Sequence, residues 1–259
     1  VSRFGLSLDY DNDVIPISMH SFGGSVTERH LLFALVKKIA DRYGSPEEVI
    51  GFLSEGLGIG LQEKVKGQIL SGSPESPFYL YDIVGALKSG FVSEFYVDAA
   101  EECPHISELA KFADEIGAVS AYAYLGDVGN SVTGDKKPQK FEDDYLPLLM
   151  DTIKALGFRA VTYMPSRNTP QQLNRIMKLC RKYGFFEISG EDINSPRQSF
   201  ICKALAKPEF AHLAPSAFAL IAHELISTED LSLGMFSKKT VSEYPDINDR
   251  VKHFSEMRF

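Results

Sequence analysis

Hydrophobic positions along the chain change period partway through. From Thr27 onward, Leu31, Leu32, Leu35, Val36 and Ile39 recur at the i, i+3, i+4 spacing of a helix with one buried face. Ser45-Pro46-Glu47-Glu48 predicts the start of a second helix. Ser45 can cap it, Pro46 suits the first helical position, and Glu48 completes a capping box. Two more short helices are predicted over 61–71 and 80–90, with a loop at Ser71–Pro77 between them. Residues 27–92 therefore read as a small helical subdomain. The preceding residues, 1–26, read as an extended, turn-rich lead-in. Its acidic run Asp9–Asp13 lacks the glycine and the distal glutamate of a calcium loop and predicts a solvated turn.

From about Ser93 the pattern alternates between strand and helix. Strands are predicted at Phe95–Val97, Ala118–Tyr124, Phe158–Tyr163 and Phe185–Ser189. Helices are predicted at His105–Ile116, Asp144–Leu156 and Thr169–Tyr183. In the last of these Thr169 caps, Pro170 takes the first position and Gln172 closes a capping box. Leu173, Ile176, Met177 and Cys180 form its buried stripe. Gly157 and Gly184 stand where a helix must stop before the next strand. Repeated βα units with short links imply parallel strands joined by right-handed crossovers. Residues 93–226 make up this βα region, helical again over 198–226, and 227–259 form a polar tail with short helical pieces.

Composition narrows the function classes. The chain has 259 residues, 44% of them hydrophobic and 24% charged, which suits a soluble globular protein with a sizeable core. A net charge of −8 disfavours binding of long nucleic acid but leaves room for a local basic pocket holding one phosphate. No apolar run approaches the roughly 20 residues that span a bilayer, so no membrane association is expected. No charged-then-apolar leader opens the sequence. Three widely spaced cysteines, Cys103, Cys180 and Cys202, fit a reducing cytoplasm better than a disulfide framework.

Candidate chemistry gathers at the predicted strand ends, where parallel α/β folds hold ligands and metals. Three loops would converge there: Tyr124–Asp127 continuing to Lys137, Tyr163–Thr169, and Glu191–Arg197. Asp127, Glu191 and Asp192 offer hard oxygen ligands for a divalent cation. Arg167 and Arg197 offer the planar fork that grips phosphate or carboxylate. Thr169 opens a helix whose N-terminal N–H groups favour an anion nearby. Structural roles compete for the same residues: Asp127 as a turn cap, Asn168 as a turn stabiliser, the arginines in ion pairs with Glu191 or Asp192. Among the six histidines no pair has metal-ligand spacing. His223 reads as a core or capping histidine, and His30 as a surface helix residue or a phosphate contact.

Several of these segments resemble the polymerase and histidinol phosphatase (PHP) superfamily. Thr27-Glu28-Arg29-His30 followed by Leu31–Lys38 resembles the start of a helical insertion in one branch of it. Ile116–Leu125 resembles the strand that ends in Ala-His-Pro. Met164–Gln172 resembles a Pro-Ser-His-Thr helix start, and Gly190–Asn194 the final Gly-Ser-Asp-any-His motif. The resemblance covers roughly residues 25–200. It implies the C-terminal part of a distorted (β/α)7 TIM-like barrel and a metal-dependent phosphoesterase acting on a small phosphorylated substrate with Mn, Fe, Zn or Mg. Asp192 matches a metal-binding aspartate. Asn194, Tyr124 and Asn168 stand where ligand histidines are expected. The resemblance thus implies Asp192 and Asn194 at a metal and Asp192, Glu191 and Asp127 in catalysis. Arg167, Asn168, Arg197, Asn194 and His30 would hold the phosphate. The alternative is a catalytically degenerate barrel that binds an anionic small molecule. The family's N-terminal His-any-His strand has no counterpart here, so a partner copy or another segment would have to complete the sheet.

Overall fold

The computed structural model describes residues 4–73, 75–97, 100–101, 103–129, 139–193 and 196–258. Asn194 lies outside them. The chain divides into two compact units. The first spans Val1–Asp98 and takes in Asn194–Gln198; the second comprises Ala99–Gly129, Pro138–Ile193 and Ser199–Phe259.

The first unit is helical. Its main elements are α1 (Glu28–Arg42), α2 (Pro46–Gly51), α3 (Glu63–Leu70) and α4 (Pro77–Gly90). The predicted stripe is its core: Leu32, Leu35, Val36 and Ile39 of α1 pack with Val49, Leu53, Ile69, Ile83 and Leu87. Ser45 and Glu48 form the predicted capping box at α2. Residues 10–22 are not extended but wind through three short helical turns, Tyr10–Val14, Ile15–Ile17 and His20–Phe22. The acidic run is spent locally. Asp9 Oδ1 accepts from Asn12 N (2.8 Å), Asp13 accepts from Asp9 N (2.9 Å), and Lys38 pairs with Asp13 (2.8 Å).

The second unit is a three-layer α/β/α arrangement. Strands β1 (Ala121–Ala123), β2 (Ala160–Tyr163) and β3 (Phe186–Ser189) form a parallel sheet in the order β1-β2-β3. Ala121 pairs with Ala160, and Ala160 with Phe186. Helix α5 (Ile106–Ile116) precedes β1, and α6 (Leu146–Ala155) and α7 (Pro170–Tyr183) make the two crossovers. Alternation along a strand sends side chains to opposite faces. Val161 and Tyr163 meet Leu146, Met150 and Ile153 of α6 and Leu173, Ile176, Met177 and Cys180 of α7. Ala160 and Phe186 meet Ala219 and Ala222 of α8 (Leu213–Glu229) and Phe254 of α10 (Ile247–Ser255) on the other face. A short α9 (Lys238–Glu243) lies between them in sequence.

This corrects the barrel expectation. Helix accounts for 58% of the chain, and the described residues form one sheet of three strands, not part of a (β/α)7 barrel. The predicted strand Phe95–Val97 does not form. Phe95 N and Tyr96 N both donate back to Val92 O (3.1 and 2.9 Å), which closes a helical turn and leaves no ladder to start a sheet. Among the described residues β1 pairs only with β2, so the sheet ends there instead of curling onward. The other three predicted strands form in shortened versions. The helix predicted over 80–90 starts earlier, at Pro77, and the region predicted helical over 198–226 holds short turns before a regular helix that starts only at Leu213 and runs to Glu229.

One helix among the described residues, Pro208–Glu229, is apolar and long enough to cross a membrane by composition, with mean hydropathy 1.2. Scattered Ser, His and Glu interrupt it, so it contains no unbroken apolar run of that length. Its buried face, Leu213, Ser216, Ala219, Ala222 and His223, lies within the second unit.

Candidate functional site

The C-terminal ends of β1, β2 and β3 meet at one edge of the sheet, and a polar network covers that edge. The turn after β1 is its centre. Gly126 adopts φ +65°, the left-handed region that glycine alone enters freely. A Cβ there would sit 2.8 Å from both Asn168 Nδ2 and Gln172 Nε2 and 3.0 Å from the Tyr124 hydroxyl, so the turn needs glycine twice over.

Two consecutive carboxylates hold this turn. Glu142, buried, accepts from Leu125 N (2.7 Å) and Gly126 N (3.2 Å). Asp143 accepts from the Tyr124 hydroxyl (2.5 Å), Asp127 N (2.9 Å) and Gln172 Nε2 (2.7 Å). Burial works against the Asp143 charge. Hydrogen bonds from Tyr124, Gln172 and Asp127 N, with the Arg175 charge, outweigh it and hold the carboxyl below its ordinary value. Burial and the hydrogen bond to Asp143 push the Tyr124 phenol well up, so it stays a donor. Neither Glu142 nor Asp143 was singled out from sequence. The Glu142-Asp143-Asp144 run just before α6 is the signal that would have found them.

The predicted site residues fall into three groups. Asp127, Arg167, Asn168 and Glu191 come together at this edge. Asp127 Oδ1 accepts from Phe141 N (2.8 Å), which is the turn-cap role. Asn168 is buried; its Oδ1 accepts from Met164 N (3.0 Å) and its Nδ2 donates to Leu125 O (2.8 Å). Glu191 links the β2 and β3 loops by accepting from Ser166 N (2.8 Å) and the Ser166 hydroxyl (2.5 Å). Arg167 NH1 donates to Leu125 O (3.0 Å), whereas its NH2 is buried with no hydrogen-bond partner. Asp192 follows Glu191 on the exposed rim.

Arg197 and His30 belong to the first unit. Arg197 makes a two-pronged ion pair with Asp82, Nε to Oδ1 at 2.8 Å and NH2 to Oδ2 at 2.6 Å, and lies over the Phe78 ring. His30 occupies the third helical position of α1 and accepts from Thr27 N through Nδ1 (3.0 Å), the place a glutamate takes in a capping box.

A second polar cluster sits one layer down from the edge. The Tyr163 hydroxyl donates to Glu187 Oε2 (2.8 Å) and lies 2.9 Å from His212 Nε2, itself 3.3 Å from the same carboxylate. Burial, then the Glu187 charge, raises the Tyr163 phenol far above its usual range. This cluster pins the start of α8 to the sheet. No sequence pattern brought Glu187 and His212 together.

The described side chains at this edge do not make a metal site. Among the described residues no three His, Cys, Asp or Glu side chains gather as a metal would require. Asp127 Oδ1 and both Glu191 oxygens accept from backbone and serine donors. The unspent capacity at this edge is of the opposite kind. Arg167 NH2 and the Ser189 hydroxyl at the end of β3 are both buried without a partner. Both are donors, and Thr169, two residues after Arg167, caps the positive end of α7. Its Thr169–Gln172 capping box is formed as predicted. No protein-family model matches the chain, and neither does any curated protein or solved structure.

Proposed function

We propose that the C-terminal edge of the three-stranded sheet binds a small anionic molecule, with Arg167 as its main contact. The observation that carries this reading is the Arg167 guanidinium: NH1 is fixed to Leu125 O while NH2 is buried and unpartnered. An unmet buried donor on a cation is costly, and an incoming oxyanion offsets that cost. Ser189 supplies a second donor, and the N-terminus of α7 favours the same charge. The likeness of these loops to PHP proteins supports a phosphate monoester as the ligand class. Binding is favoured over hydrolysis because the carboxylates at this edge are engaged in holding the fold.

Titration calorimetry with glycerol phosphate tests this. Arg167→Lys keeps the charge and one donor but loses the fork. One charge-assisted hydrogen bond is worth about 1.5–3 kcal/mol, so affinity should fall about tenfold or more. Equal affinity in the variant, or no heat with the native chain, would rule the reading out.

A further inference from the structure

At the opposite end of the same sheet, three cations surround the start of β2 and β3. Arg159 immediately precedes β2, and its carbonyl accepts from Phe186 N (3.0 Å) at the start of β3. Lys154, near the end of α6, holds its ammonium 5.1 Å from the centre of the Phe185 ring. Arg250 of α10 lies 5.2 Å from the centre of the Phe236 ring, and that ring is 6.1 Å from Phe186. Phe185, Phe186 and the Arg159 carbonyl thus tie all three cations to one edge.

Their counter-charge is incomplete. Arg159 pairs with Asp114 through Nε (3.1 Å) and NH2 (2.8 Å), with NH1 outside that pair. Among the described residues Arg250, 7% exposed, donates only to Met235 O (3.3 Å), and its Nε is buried with no acceptor. Among the described residues neither Arg250 nor Lys154 has a carboxylate at ion-pair distance. Among the described residues Asp246, which caps α10, is the carboxylate whose charge favours the Arg250 cation.

We propose that this N-terminal edge is a second anion site, independent of the first, in which Arg159 and Lys154 contact a small dianion above the buried Arg250 charge. The electrostatics agree with the geometry. Partial burial of the ammonium end, then repulsion from Arg159 and Arg250, holds Lys154 below its ordinary value, although the residue as a whole is exposed. Burial, then Arg159, does the same to Arg250. A dianion relieves the repulsion at Lys154 and Arg250. A phosphate group matches the guanidinium fork and the point charge together.

Equilibrium dialysis of the full chain against radiolabelled inorganic phosphate at low ionic strength is the test. Lys154 is exposed and Arg159 forms only a surface pair, so Lys154→Gln and Arg159→Gln should fold normally. Each is expected to weaken phosphate binding about tenfold. Arg167→Lys, at the other edge, should remove at most the phosphate held there and leave one phosphate bound per chain with unchanged affinity. Wild-type affinity in both glutamine variants would overturn the proposal. So would phosphate binding lost entirely in Arg167→Lys, or no phosphate bound by the native chain.

Discussion

Replacing Asp143 by alanine is expected to lower the free energy of unfolding by about 3 kcal/mol or more, as read from urea denaturation. The loss is large because one carboxylate serves three donors: the Tyr124 hydroxyl, Asp127 N and Gln172 Nε2. Each would be left buried or half-buried without its acceptor. Asp143→Asn keeps the shape and one carbonyl oxygen but turns an amide N–H toward a donor, and about half the loss should appear. A drop below about 1 kcal/mol for the alanine variant would mean that water replaces the carboxylate and that the turn is not held from this point.

The same residue sets a pH dependence. Its carboxyl titrates below the ordinary 3.8 in the folded protein. A depressed folded value means the unfolded chain binds the proton more readily. The stabilisation is therefore present in full above the unfolded value and is lost as pH falls through the folded one. In Asp143→Asn that part of the acid-unfolding curve should disappear.

Local structure was largely legible in the sequence because it is decided by near neighbours. The α1 stripe, the capping boxes at Ser45 and Thr169, and the stripe of α7 depend on residues within a turn of one another, and all occur. The architecture was not legible. Phe95-Tyr96-Val97 has strand-forming side chains, yet its N–H groups return to Val92, and propensity alone cannot see that competition. The site was legible in part. Placing Asp127, Arg167, Asn168 and Glu191 at the strand ends followed from the βα pattern. What each does depends on partners 14 to 43 residues away, such as Phe141 for Asp127 and Leu125 for Asn168. No spacing rule links such pairs, so Glu142 and Asp143, which hold the turn, drew no notice. Arg197 sits in the third predicted loop in sequence but pairs with Asp82, 115 residues away, within the helical unit.

His223→Ala is expected to cost about 3 kcal/mol, and the native chain should weaken on mild acidification for the same reason. The imidazole is buried in α8 and both ring nitrogens are engaged. Met235 N donates to Nδ1 (2.9 Å), so Nδ1 is unprotonated and Nε2–H donates to Gly117 O (2.9 Å) at the end of α5. Ser227 Oγ lies 3.1 Å from Nδ1. The ring thus joins α5, α8 and the Gly234–Met235 turn, and alanine would leave a cavity and two unmet backbone groups. Protonation is nearly as disruptive, because a proton on Nδ1 would face the Met235 N–H. Burial accordingly holds the imidazole below its ordinary 6.5, against the pull of the Gly117 hydrogen bond and Glu224. With the folded value depressed, the unfolded chain takes up the proton first. Stability is full above about pH 6.5 and declines below it toward the folded value. Urea midpoints at about pH 7.5 and about pH 5 measure this. His223→Gln can give and accept one hydrogen bond without titrating, so it should flatten the difference. An equal pH slope in that variant would place the acid sensitivity on another group and leave His223 with a packing role alone.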